Sequence, residues 1–164
     1  MSGCKNPGMS VLTPVAVWLG SLSWMPKLLP QITAVDKFIQ RLTKGHWSLL
    51  RFAGLPNLML TVLGRKSGVA RSTPVLCVPY RGGQLIAGSN FGGPKPPVWV
   101  LNVRAADRVT VTVNGRTHDA VPHELTGEER AEAWKHMLET WPNYARYEAR
   151  TDRVIPVFWL TPAS

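Results

Sequence analysis

The sequence predicts an α+β fold, mostly β, in which short antiparallel strands close into a barrel with helices on its flanks. Three observations predict it. Apolar segments of strand length recur at 58–63, 74–80, 84–88, 108–113 and 116–123. Glycine-containing turns join several of them: a bend closed by Gly64 and Gly68, the tight Arg81-Gly82-Gly83, and Asn114-Gly115, a strong two-residue hairpin signal. Helical signals inside this block are short, and the longer ones flank it. With 164 residues and 45% hydrophobic content, the chain can bury one core without disulfides.

From the N-terminus, residues 11–25 are mostly apolar, but they fall short of the ~20 residues a membrane span needs and Pro14 interrupts them. Residues 1–30 therefore read as an apolar segment attached peripherally to a membrane, with a secretory leader cut near Ser21-Leu22-Ser23 as the alternative. Residues 31–164 read as a single domain. It opens with an amphipathic helix: Ile32, Val35, Ile39 and Leu42 recur at helical spacing while Lys37, Arg41 and Lys44 occupy other positions. Beside Trp18, Trp24 and Trp47 such a helix suits an anionic membrane surface, and packing on the domain accounts for the same pattern.

Within the body, Pro96-Pro97 suits the first turn of a short helix over 98–104. Val109, Val111 and Val113 alternate with Thr110 and Thr112, giving one buried and one polar face. Thr126-Gly127-Glu128-Glu129 is a capping box that opens a helix to Thr140, and Trp141-Pro142 breaks it. A short helical piece then carries Tyr144, Tyr147 and Glu148. The last strand, 154–160, contains Pro156, which predicts an edge or bulged position.

Charge is unevenly placed. The net charge is +9, and of the 10 acids Asp36 alone precedes position 107. That asymmetry points to a polyanionic partner for the first two thirds: an acidic ligand, an anionic membrane or a nucleic acid. The densest cluster lies at one bend, where Arg65, Lys66 and Arg71 stand with Ser67, Ser72 and Thr73. Cationic side chains and backbone N–H groups gathered at a turn suit a phosphate or carboxylate; a solvated basic hairpin is the plainer alternative. The bend is not a Walker loop, because no Gly-Lys-Ser/Thr opens a helix. Cys4 and Cys77 are far apart and His46, His118, His123 and His136 show no ligand spacing, so neither a disulfide framework nor a metal site is expected, and a reducing, cytoplasmic setting is favoured.

Four motifs carry a family resemblance. They are Gly64-Arg65-Lys66-Ser67-Gly68 with Arg71-Ser72-Thr73-Pro74; Gly88-Ser89-Asn90-Phe91-Gly92-Gly93; Pro97-Val98-Trp99-Val100-Leu101-Asn102; and Pro142-Asn143-Tyr144 continuing through Tyr147, Thr151-Asp152-Arg153 and Ile155-Pro156. In unbroken order over residues 55–162 they resemble the deazaflavin-dependent nitroreductase family. The resemblance implies a split β-barrel, FMN-binding split-barrel-like, that uses the reduced deazaflavin coenzyme F-420. It also implies a small lipophilic electron acceptor, either a quinone, an enone-type lactone or a nitro-heterocycle, with no nucleic acid as partner. A homodimer is expected, because split barrels are often dimers.

F-420 carries a phosphodiester and an oligoglutamate tail, so it is itself a polyanion. On the resemblance, Arg65, Lys66, Ser67 and Arg71 grip the phosphate and tail. Ser72, Thr73 and Pro74, with Ala87, Gly88, Ser89 and Asn90, face the ring edge. Val98, Trp99 and Asn102 wall the ring, Trp99 serving equally well as a structural residue, and Tyr144 closes the far side. Tyr144 is also the expected donor to a substrate carbonyl, with Tyr147 and Ser89 as alternates. Asn90 stands where the nitroreductases tend to carry a lysine, and Trp141 replaces a tyrosine, so the coenzyme grip is kept while the substrate pocket differs. An FMN-dependent split-barrel reductase and a non-catalytic coenzyme carrier are the alternative readings.

Overall fold

The structure, a computed structural model, describes residues 56–163. The apolar segment 1–30, the helix expected over 31–50, their membrane contact and Cys4 lie outside the described residues. Among the described residues no helix is long and apolar enough to cross a membrane.

Six strands, β1 (Asn57–Leu63), β2 (Ala70–Tyr80), β3 (Gly83–Ala87), β4 (Val109–Val113), β5 (Arg116–Glu124) and β6 (Val157–Pro162), form a closed barrel in the order β1-β2-β3-β6-β5-β4. Every neighbouring pair is antiparallel. Among the described residues three α-helices accompany them: α1 (Val98–Val103), α2 (Gly127–Thr140) and α3 (Asn143–Glu148). The turn chemistry is as expected. Arg81 and Gly82, and likewise Asn114 and Gly115, take positive φ at both central positions, which matches the right-handed twist of the flanking strands. In β4 the three valines are buried, and the threonines on the other face bond across to β5, Thr110 Oγ1 to Asp119 Oδ1 at 2.9 Å and Thr112 Oγ1 with Thr117 Oγ1 at 2.8 Å.

Antiparallel order gives the barrel two distinct mouths. At the first lie the 64–69 turn, the loop 88–93, α1 and the segment leading into β6; at the second lie the 81–82 and 114–115 turns and the end of β6. Leu58, Leu60, Ile86, Val111 and Phe158 fill the interior, each such side chain contributing about 1.5–3 kcal/mol by leaving water. α1 plugs the first mouth: Trp99, Val100 and Val103 join this core, with the Trp99 ring 6.0 Å from that of Phe158. A second core, including Leu85, Trp134, Met137, Tyr144, Tyr147 and Val157, joins residues of α2 and α3 to residues of the barrel strands.

Three expectations are corrected. β2 begins at Ala70, so Arg71, Ser72 and Thr73 belong to a strand paired with β1 rather than to the turn. β6 lies between β3 and β5 in a closed barrel and is no edge; Pro156 precedes it, where its missing N–H disturbs no ladder and its carbonyl accepts from Gly88 N at 2.9 Å. Thr126 is the N-cap of α2, yet its hydroxyl makes no capping bond. Gly127 follows at φ 55°, outside the helical region, while Glu128 and Glu129 still place negative charge in the first turn.

Candidate active site

The 64–69 turn is tightly self-bonded. Gly64 N donates to Val69 O at 2.9 Å, Ser67 N and Gly68 N both donate to Gly64 O, and Val69 N donates to Ser67 Oγ. Arg65 N donates to the Asn102 side chain, Oδ1, at 3.2 Å. Only the amide of Lys66 is left, which corrects the expectation that several backbone N–H groups of this turn face an anion. The cations carry that task instead. Arg65, Lys66 and Arg71 are exposed, and the ion pairs among the described residues, Arg81–Glu132, Arg104–Glu124, Arg130–Glu148 and His136–Glu139, include none of them.

Strand alternation sorts the residues that follow. Arg71 opposes buried Val62 and Thr73 opposes buried Leu60, so both share the inward face at the first mouth. Ser72 and Pro74 share the other face, where the Ser72 hydroxyl is engaged by Thr61 Oγ1 at 2.8 Å. Asn102, 5% exposed, ties α1 to the turn, and Trp99 is committed to the barrel core. Val98 is exposed.

Across the mouth, the loop after Ala87 is held in an uncommon shape: Asn90, Phe91 and Gly92 all take positive φ, at 46°, 53° and 78°. Two consecutive non-glycine residues there need external support. Arg153 supplies it, donating from Nε to Gly93 O at 3.0 Å, from Nη1 to Gly88 O at 3.1 Å and from Nη2 to Ser89 O at 2.7 Å. No acid among the described residues pairs with this guanidinium, and desolvation lowers its pKa. The Asn90 amide is used within the loop, donating to Lys95 O at 2.9 Å. Gly88 seats the loop on α1 and the segment before β6: a Cβ there would lie 2.5 Å from Val100 Cγ2 and 2.9 Å from Pro156 Cγ.

Tyr147 links the loop to α3, its ring 5.5 Å from that of Phe91 and edge-on to Tyr144 at 6.0 Å. Tyr144 also packs against Trp134 at 5.3 Å. Burial raises both phenols; for Tyr144 the neighbouring Tyr147 adds to the rise, and for Tyr147 the Trp141 hydrogen bond and the Arg150 charge oppose it. Both tyrosines are therefore neutral donors near pH 7. Thus the predicted residues of β2, the loop and α1 meet at one mouth, with Tyr147 reaching it through Phe91, while Tyr144 sits deeper between α2 and α3. Sequence reasoning quoted Arg153 inside a motif and gave it no role; its only local sign was a cation between a helix and a strand with no acid at helical spacing.

These features fit a polyanionic coenzyme: cations that no acid among the described residues quenches, beside a loop pinned by a charge of the same sign. Comparisons with known proteins agree. The family model described as F-420H(2)-dependent quinone reductase matches residues 35–162. An F-420H(2)-dependent quinone reductase of Mycobacterium tuberculosis (strain H37Rv) is 31% identical over 134 residues, covering 80% of this chain and 90% of the relative. The solved structure of an F-420-H2 dependent reductase, FDR-A, is 40% identical with a TM-score of 0.60, over 64% of this chain and 93% of that one. A second, described as a domain-swapped dimer, is 35% identical with a TM-score of 0.62, over 80% and 98%. The chain belongs to the F-420H2-dependent quinone reductase family and is an oxidoreductase that uses reduced F-420.

Proposed function

We propose that the protein reduces a lipophilic quinone at the first mouth of the barrel. The observation that carries this reading is the cluster of Arg65, Lys66 and Arg71, with no acid partner among the described residues, opposite the pinned 88–93 loop. Arg65, Lys66, Arg71 and Ser67 hold the phosphodiester and tail through charge-assisted contacts. Thr73, with backbone groups of Pro74, Ala87, Gly88 and Ser89, lines the ring edge, and α1 closes the floor. When bound, reduced F-420 supplies the hydride. The residues around it exclude water, fix the approach of the acceptor and donate a hydrogen bond to its carbonyl.

A lipophilic acceptor is favoured by the surface. Among the described residues the exposed large hydrophobics are Leu63, Val69, Val98 and Val154, and all four lie at this end. Apolar side chains interleaved with cations also suit peripheral contact with an anionic membrane. A homodimer is the assembly we favour, supported by the relative described as a domain-swapped dimer.

The test is oxidation of reduced F-420 by a panel of quinone, enone and nitro acceptors, with FMN as the competing coenzyme. Quinones are expected to be reduced fastest and FMN not to bind; tight F-420 binding with no turnover of any acceptor would leave only a carrier. Tyr144 is the proposed donor, with Tyr147 and Ser89 as alternates. Tyr144→Phe is expected to lower quinone turnover about tenfold or more while changing coenzyme affinity less than twofold. The same variant has a pH signature. Burial raises the folded-state pKa of Tyr144 above the 10.0 of an ordinary tyrosine, so the stability this group contributes is complete below that pH and is lost as pH rises beyond it. Urea unfolding of Tyr144→Phe should therefore decline less on the alkaline side; an identical alkaline decline would contradict a buried neutral phenol.

A further inference from the structure

The second mouth of the barrel opens into a cavity of about 670 Å³, well away from the residues assigned to the coenzyme. Small-molecule sites span roughly 300–1,000 Å³. Val111, Val113 and Leu160, which belong to the barrel core, form its apolar wall, and Arg116 and His118 stand at its exposed rim.

Gln84 enters this cavity from β3. Two residues on, Ile86 lies in the interior core, whereas Leu85 between them lies in the outer one, so Gln84 faces inward. Its ladder partner Leu160 faces the same way. Gln84 is 8% exposed, and its Oε1 is buried without a hydrogen-bond partner. The amide thus presents a polar atom that has no partner inside the barrel. A buried amide in that condition destabilises the fold unless something else bonds to it, and a leucine would fill the position without that penalty. At the rim the neighbouring charges are already used: Arg81 is bonded to Glu132, and Asp119 accepts from Thr110. Arg116 has no ion pair among the described residues.

We propose that this mouth is a second ligand site, for a small flat molecule with a hydroxyl at one end and a carboxylate at the other. The hydroxyl, which can donate or accept, meets the Gln84 amide; the apolar body lies on Val111 and Leu160; the carboxylate reaches Arg116. The site does not depend on the coenzyme reading.

The probe is 3-(4-hydroxyphenyl)propionate, titrated calorimetrically into the full chain, with 3-phenylpropionate and the methyl ester of the probe as comparators. Saturable binding is expected. Loss of the hydroxyl should weaken it about fivefold or more in the natural chain but not in Gln84→Leu. Conversion to the ester should weaken it about threefold, a difference that Arg116→Ala removes. Absence of saturable binding, or the same ratios in both variants, overturns the proposal, as does displacement of the probe by F-420, which would put it at the first mouth. Should Gln84→Leu fail to fold, Arg116→Ala decides alone, because that residue is exposed: an unchanged acid-to-ester ratio refutes the site.

Discussion

At the first mouth Trp99, Val100 and Val103 fill the barrel from α1, and Arg65, Lys66 and Arg71 stand nearby with no acid partner among the described residues. At the second mouth no helix of the described residues joins the cavity lining, and Arg81 is gripped by both oxygens of Glu132, at 2.9 and 3.0 Å. The same six strands reach both ends, so the difference comes from what the later third of the chain sends back. Its acids return to quench Arg81, through Glu132, and Arg104 at the end of α1, through Glu124, and none of them pairs with Arg65, Lys66 or Arg71. A net charge of +9 therefore says little by itself. What marks a site for a polyanion is the subset of cations that the fold leaves unneutralised.

The largest expected effect comes from removing the charge that shapes the first mouth. Arg153→Met deletes three hydrogen bonds from a guanidinium to the carbonyls of Gly88, Ser89 and Gly93. Because the group is half-buried and desolvated, the net loss is about 2–4 kcal/mol of stability, and coenzyme affinity falls with it as the loop relaxes. Urea denaturation and deazaflavin fluorescence titration measure the two together. A variant that unfolds at the same urea concentration and binds equally well would show that the 88–93 loop holds its left-handed backbone unaided.

Next in size is the contrast between cations. Lys66→Ala and Arg71→Ala are each expected to weaken F-420 binding by about 1.5–3 kcal/mol, while Arg81→Ala leaves it unchanged. Neither of the first two should alter thermal unfolding, since neither side chain has an ion pair within the described fold. Equal affinity losses in all three variants would mean that the coenzyme responds to total charge and not to position.

That contrast also separates what was legible in the sequence from what was not. Asn114-Gly115 and Arg81-Gly82 announce their turns because few residues tolerate positive φ twice in succession. The Val-Thr alternation of β4 announces a half-buried strand in the same local way. Arg71-Ser72-Thr73 misleads for a local reason too: three polar residues following Gly68-Val69-Ala70 look like turn, and only pairing with β1 makes them strand. Long-range features left almost no trace. Arg153 meets Gly93 across 60 residues, and Arg65 N meets Asn102 across 37, contacts that neither periodicity nor propensity encodes. The turn that seemed built to offer its amides spends four of them on itself and one on Asn102, visible only once Gly64 O is seen to accept twice.

The smallest expected effect tests the quenched side of the comparison. Arg81 and Glu132 keep roughly half of their side-chain surface in water, at 51% and 58% exposure. Arg81 Nη2 bonds both carboxylate oxygens, but solvent screens the pair and two long side chains lose freedom in forming it, so a double-mutant cycle with Arg81→Ala and Glu132→Ala should return about 0.2–1 kcal/mol. Raising the salt to about 1 M should reduce even that, since the screening length falls to about 3 Å. Glu132→Ala alone carries the sharper information. It frees a cation at the second mouth without adding charge to the first, so F-420 affinity should stay constant. If affinity rises instead, the coenzyme is reading the field of the whole barrel, and the division of labour between the two mouths fails.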